Sequence, residues 1–153
     1  MFNVVLVEPE IPPNTGNIAR LCLATGSRLH LVEPLGFSID DRQLRRAGMD
    51  YWHQVDLIYW KNLTEFETAT RSPVRRFLLT TKSRRNYWDA RFCDGDYLVF
   101  GRETKGLPES LLLSQSENCL TIPMASGARS LNLATAVAVV LFEGVRQLRS
   151  DRE

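Results

Sequence analysis

Apolar residues fall along the chain in short blocks of strand length, separated by segments that carry helical spacing and helix-end signals. Residues 2–7 (FNVVLV) form the first block, rich in β-branched side chains. A helix is predicted from about Thr15 and stops at Gly26, a natural helix-ending residue. Residues 28–33 (RLHLVE) read as a second strand. Residues 38–48 read as a helix, with Ser38 and Asp41 in capping-box spacing and Gly48 at its end. A third strand spans 55–60, and a short helix at 62–69 opens with Asn62 and Glu65 in similar spacing. Strands at 76–81 and 96–101 follow. A helix then spans 108–113, with Pro108 near its first turn. A last strand covers 119–124 and a long closing helix 131–149.

This alternation predicts an α/β fold, with a mainly parallel sheet flanked by helices, in a single domain over residues 1–153. The closing helix is apolar nearly all round from Leu131 to Phe142, so most of its surface has to be buried. Either a partner subunit or the chain's own sheet meets that need. Hydrophobic residues make up 44% and charged residues 24%, which indicates a soluble globular chain. No apolar run is long enough to span a membrane, and the start MFNVVLVEPE has neither the basic opening nor the cleavage site of a signal peptide. Cys22, Cys93 and Cys119 form no CxxC pair, which fits free thiols in a reducing cytoplasm. The two histidines, His30 and His53, have no cysteine at ligand spacing, which disfavours zinc; no metal is expected.

Net charge is only +1, but the arginines are clustered. Arg42, Arg45 and Arg46 form one group. Lys82, Arg84 and Arg85 form another, in a segment that runs on through Tyr87 and Trp88 to Arg91. Basic patches beside aromatics bind phosphates and stack bases even when global charge is balanced. Charge alone favours a solvated face for such runs, and these two groups are the candidates for RNA contact.

In open α/β sheets, ligands bind beyond the carboxyl ends of the strands. Three polar, glycine-bearing segments fall there: PPNTGNIAR after the first strand, GRETKGLP at 101–108 and ASGARSLN at 125–132. The phosphate-loop order GxxxxGK[ST], the dinucleotide GxGxxG and the GxSxG elbow are all missing, which disfavours hydride transfer and serine hydrolysis.

Together NTGNIAR, LVFGRETKGLP and IPMASGARSLNLATAVAVVLFE resemble the three motifs of the SPOUT class of S-adenosylmethionine-dependent RNA ribose 2′-O-methyltransferases. The resemblance runs over almost the whole chain, and is greatest to the small stand-alone members that methylate the wobble cytidine or uridine of tRNA. It implies an α/β domain with a C-terminal trefoil knot, a homodimer, tRNA as partner, S-adenosyl-L-methionine as cofactor and a cytoplasmic location. Leu79, Gly101, Ile122, Ser130 and Leu131 match the family's cofactor-binding positions, and Arg20, Asn14, Glu103, Ser130 and Asn132 its polar catalytic positions. For Asn14, Ser130 and Asn132, turn or capping roles compete with catalytic ones. One departure stands out: relatives tend to carry Tyr before the glutamate of the closing helix, where this chain has Phe142. Methylation of another tRNA or ribosomal RNA position, and a non-catalytic RNA-binding factor of the same fold, are the alternatives.

Overall fold

The computed structural model describes residues 1–40, 42, 46 and 49–150. Six strands form one sheet: β1 (Asn3–Val7), β2 (Arg28–Val32), β3 (Leu57–Trp60), β4 (Arg76–Leu79), β5 (Tyr97–Phe100) and β6 (Cys119–Leu120). Their order is β3-β2-β1-β5-β4-β6, and every pairing is parallel. The helices are α1 (Pro12–Thr25), α2 (Leu63–Ala69), α3 (Glu109–Ser114) and α4 (Leu133–Ser150).

Alternation along the strands divides the core into two layers. Val4 and Leu6 of β1 join Ile18, Ala19 and Cys22 of α1 and Val137, Val140 and Leu141 of α4 on one face. Val5 and Val7 join Phe66 of α2 and Leu111 and Leu112 of α3 on the other. Burial of both faces is why the strands read as continuous apolar runs. Strand order reverses beside the β1–β5 pair, so the chain turns leaving β1 and β5 lie side by side at a topological switch point.

The helix ends follow local chemistry with two differences from expectation. α1 begins at Pro12 rather than near Thr15, because prolines at the first two helical positions already carry helical φ and need no donor. It stops at Gly26, which takes φ +65° and returns its N–H to the carbonyl of Leu23. α2 has the expected reciprocal cap: Glu65 N–H donates to Asn62 Oδ1 (2.8 Å) and Lys61 N–H to Glu65 Oε2 (2.7 Å). The last strand is much shorter than expected, because residues after Leu120 leave the sheet, and Thr121 bonds the carbonyl of Arg85. Of the helix expected at 38–48, Arg42 and Arg46 are helical and exposed, while Asp41 and Arg45 lie outside the described residues.

α4 buries one stripe, Leu133, Val137, Val140, Leu141 and Gly144, against the chain's own core, where it also packs on α1. Its opposite face carries Ala138, Val139 and Phe142, the last 49% exposed. The chain's own sheet therefore covers only one side of the apolar surface that the sequence placed on this helix. No helix among the described residues is long and apolar enough to cross a membrane.

Candidate active site

Beyond the carboxyl ends of β4, β5 and β6 lies a cavity of about 460 Å³, within the range of small-molecule sites. All five residues assigned to a cofactor, Leu79, Gly101, Ile122, Ser130 and Leu131, line it. They reach it from four places in the chain. Leu79 ends β4. Gly101 follows β5. Ile122 follows β6 after the chain has left the sheet. Ser130 and Leu131 close the loop that enters α4. Thr80, Thr81, Lys82 and Met124 line the same cavity; of these only Lys82 stood out in the sequence, and then for its charge.

Gly101 is there because nothing larger fits. A Cβ at this position would stand 2.0 Å from the carbonyl carbon of Gly106 and 2.1 Å from the nitrogen of Leu107. The loop doubles back on itself, with Arg102 and Gly106 exchanging backbone hydrogen bonds at 2.9 and 3.2 Å. Gly106 takes φ +67°, in the left-handed region.

The loop after β5 is clasped to the loop after β1 by three carboxylates. Glu103 accepts from the N–H groups of Glu10 (2.8 Å) and Ile11 (3.0 Å) and, more weakly, from the Asn14 amide (3.4 Å). Glu10 accepts in turn from the hydroxyl (2.7 Å) and N–H (3.1 Å) of Thr104. Those bonds hold the Glu10 carboxyl below the usual carboxylate range. Glu8, at φ +53°, pairs with Arg102 through Nε (2.7 Å). The Ile11 N-cap makes no side-chain cap bond of its own, and no acidic residue lies in the first turn of α1. Glu103 therefore supplies both the acceptor and the negative charge that a helix N-terminus attracts.

Asn14 is thus not the cap of α1. Buried in the first turn, it relays the clasp onward: Asn132 Nδ2 donates to Asn14 Oδ1 at 2.9 Å. Asn132 Oδ1 accepts from the N–H of Thr135 at 3.2 Å, so Asn132 caps α4. Glu103, Asn14 and Asn132 consequently join the loops after β5, β1 and β6 into one network. Glu103 and Ser130 face the cavity directly. Arg20 does not line it; it sits on the exposed side of α1, six residues and about 9 Å of helix beyond Asn14. Glu8, Glu10, Arg102 and Thr104 were missed from sequence, although the acidic pair in EPE opposite RET was a signal of charge complementarity. Among the described residues, no group of three His, Cys, Asp or Glu is placed to hold a metal ion.

The donor set fits S-adenosylmethionine. Leu79, Ile122, Met124 and Leu133 offer apolar walls to an adenine face, and Arg102, Glu103, Thr104 and Lys105 give one side the charge and polarity to meet an amino-acid end.

Comparison with known proteins places these features in context. The model of the SpoU rRNA Methylase family matches residues 1–142. A tRNA (cytidine(34)-2′-O)-methyltransferase of Burkholderia ambifaria is 50% identical over 149 residues, covering 96% of each chain. A solved structure described as "Structural insights into the 2-OH methylation of C/U34 on tRNA" superposes with a TM-score of 0.94 at 45% identity, covering 98% of this chain and 97% of the other. An AdoMet-bound rRNA methyltransferase from Sinorhizobium meliloti matches at 27% identity with a TM-score of 0.84, over 96% of this chain and 56% of that longer one.

Proposed function

The chain belongs to the SpoU rRNA Methylase family, and on that footing we propose that it is a tRNA ribose 2′-O-methyltransferase. It transfers methyl from S-adenosylmethionine to the 2′-hydroxyl of the wobble cytidine or uridine. One observation carries this reading: a cavity fitted to the cofactor is tied, through Glu103, Asn14 and Asn132, to the helix that bears Arg20. The near-full-length match to methyltransferases of cytidine 34 supports the choice of nucleotide.

Leu79, Gly101, Ile122, Ser130 and Leu131 hold the cofactor, with their backbone groups reading the adenine edge. When bound, S-adenosylmethionine supplies a methyl on a sulfonium that leaves as a neutral thioether. The protein's own task is to bring a ribose hydroxyl in line and to offset the charge that grows on its oxygen as the hydroxyl proton passes to water. Arg20 does the second. A guanidinium is a permanent cation with five donors and no acceptor, which suits holding an RNA phosphate and stabilising the developing alkoxide rather than acting as a base. Ser130 positions the ribose. Glu103, Asn14 and Asn132 fix the loops against which cofactor and ribose are aligned. Lys82, Arg84, Arg85, Arg42, Arg45 and Arg46 receive the tRNA backbone.

A homodimer is part of the same proposal. Phe142 on α4 and Ile11 at the start of α1 are exposed, 49% and 43%, on two helices that pack together, which favours a second copy covering this side of the molecule. Phe142 serves such a face without a hydroxyl. A C-terminal trefoil knot is also proposed, supported by the family match over residues 1–142, and the setting is the cytoplasm, where tRNA is found.

Incubating the protein with labelled S-adenosylmethionine and total tRNA, then mapping the label by mass spectrometry, tests the assignment. Label is expected on the ribose of nucleotide 34. In Arg20→Ala, transfer falls by about 100-fold or more while cofactor affinity is kept. Label on another nucleotide or on ribosomal RNA would replace the substrate. Failure to bind the cofactor would favour an RNA-binding factor without catalysis.

A further inference from the structure

β4 connects two concave sites. Its carboxyl end opens on the cavity described above. Its amino end opens on a second, shallower groove of about 420 Å³ lined by Arg75, Arg76, Phe77, Arg85, Arg91 and Asn118, among others. Four arginines thus border one groove, which reaches the amino end of the strand. The separation along Arg76–Leu79 is about 10 Å at the usual rise per residue.

The two sites are joined by a basic rail. Lys82 lines the cavity and Arg85, three residues on, lines the groove, with Arg84 exposed between them. The rail is fixed to the sheet edge. Thr121 N–H donates to the Arg85 carbonyl (2.8 Å), the Ser83 hydroxyl to the Cys119 carbonyl (2.9 Å), and Arg85 N–H to Ser83 Oγ (3.2 Å). The groove floor is equally organised. Arg75 lies 5.4 Å from the centre of the Phe77 ring, donates to the Arg91 carbonyl (2.6 Å), and is paired with the buried Asp96 (3.1 Å). Arg76 is anchored through one nitrogen on the Thr70 hydroxyl (3.2 Å). The buried Asp96 holds Arg75 in place as a strut, and Arg76, Arg85 and Arg91 border the groove beside it.

We propose that this groove is a phosphate-binding site for the tRNA backbone, continuous with the rail from the cavity. It grips the substrate away from the methylated nucleotide. Arginines suit the role because a planar guanidinium meets two phosphate oxygens at once, and such contacts set register rather than read sequence. The proposal rests on tRNA being the substrate.

The test compares the wild-type protein with the double variants Arg85→Gln/Arg91→Gln and Arg85→Lys/Arg91→Lys, titrating tRNA at several salt concentrations. For every phosphate no longer neutralised, the slope of log K against log salt falls by roughly 0.7–0.9. The glutamine pair should flatten it by about 1.5 and weaken tRNA about tenfold at fixed salt, with melting temperature and cofactor affinity unchanged. The lysine pair, which keeps the charge, should restore the slope. A wild-type slope in the glutamine pair, or a weakening that lysine does not restore, overturns the groove. A wild-type protein that does not bind tRNA overturns the substrate assignment itself, an outcome visible before any variant is made.

Discussion

Replacing Glu103 with alanine should loosen the joint between two loops and uncap a helix at once. The carboxylate accepts two well-formed hydrogen bonds, from the N–H groups of Glu10 and Ile11, and a longer one from Asn14. Charge-assisted bonds of this kind contribute roughly 1.5–3 kcal/mol each when the partner is left unsatisfied. The site is only part-buried, so water takes over some of each bond. The charge at the N-terminus of α1 adds a further 0.3–1 kcal/mol, approximately. About 2–3 kcal/mol is therefore expected for the whole set. For a chain of this length that lowers the melting temperature by about 5–10 °C. Thermal and urea melts of Glu103→Ala measure it, and Glu103→Gln, which keeps one acceptor oxygen, should fall between. Calorimetry with S-adenosylmethionine should show weaker binding, because Glu103 also lines the cavity. If Glu103→Ala melts within about 1 °C of the wild type, the carboxylate does not hold the clasp and the reasoning fails. An activity loss without any stability loss would instead place Glu103 in the chemistry.

The other predictions concern separate parts of the molecule. Gly101→Ala puts a methyl about 2 Å from backbone atoms that cannot yield; it should cost more than about 3 kcal/mol and abolish cofactor binding, read by melting and calorimetry. Asn132→Ala removes the cap of α4 and the link to Asn14, and should cost about 1 kcal/mol in a denaturant titration, with methyl transfer falling more than cofactor affinity. His30 makes stability depend on pH. It is buried, accepts from Trp60 Nε1 through Nδ1 (3.1 Å), and so carries its proton on Nε2 toward Asn3 (3.0 Å). Burial, aided by the Arg28 charge, lowers its pKa from 6.5 to about 4. Above pH 6.5 the ring is neutral whether folded or not, and this contribution is fully present. As pH falls from 6.5 to about 4 only the unfolded chain takes up the proton, and about 3 kcal/mol is lost. Urea titrations from about pH 7.5 to 4 should show that slope, and His30→Gln should flatten it; equal slopes in the two proteins would refute the assignment.

The strands were legible because each is a short apolar run, and the parallel sheet followed from their alternation with helices. Strand order was not legible, since the pairing of β1 with β5 joins residues more than ninety positions apart and leaves no mark in local periodicity. α1 began earlier than expected because PP was read as a turn, whereas it fits a helix start equally well. The residues that line the cavity could be named only through the motif resemblance; Leu79 and Ile122 taken alone are indistinguishable from ordinary core. The same limit hid the clasp. Asn14, Glu103 and Asn132 were each singled out, but that they form a chain of hydrogen bonds depends on three loops meeting, which is a property of topology.

The cap of α1 has a consequence for observing the protein at work. A helix normally carries its own N-terminal acceptor, and its first amides exchange with solvent according to local fraying. Here the Ile11 amide is protected by a residue 92 positions away, in the loop that walls the cavity. Its hydrogen exchange therefore reports on that loop rather than on the helix. Ile11 is a built-in gauge of whether the cavity side of the molecule is assembled, readable without substrate.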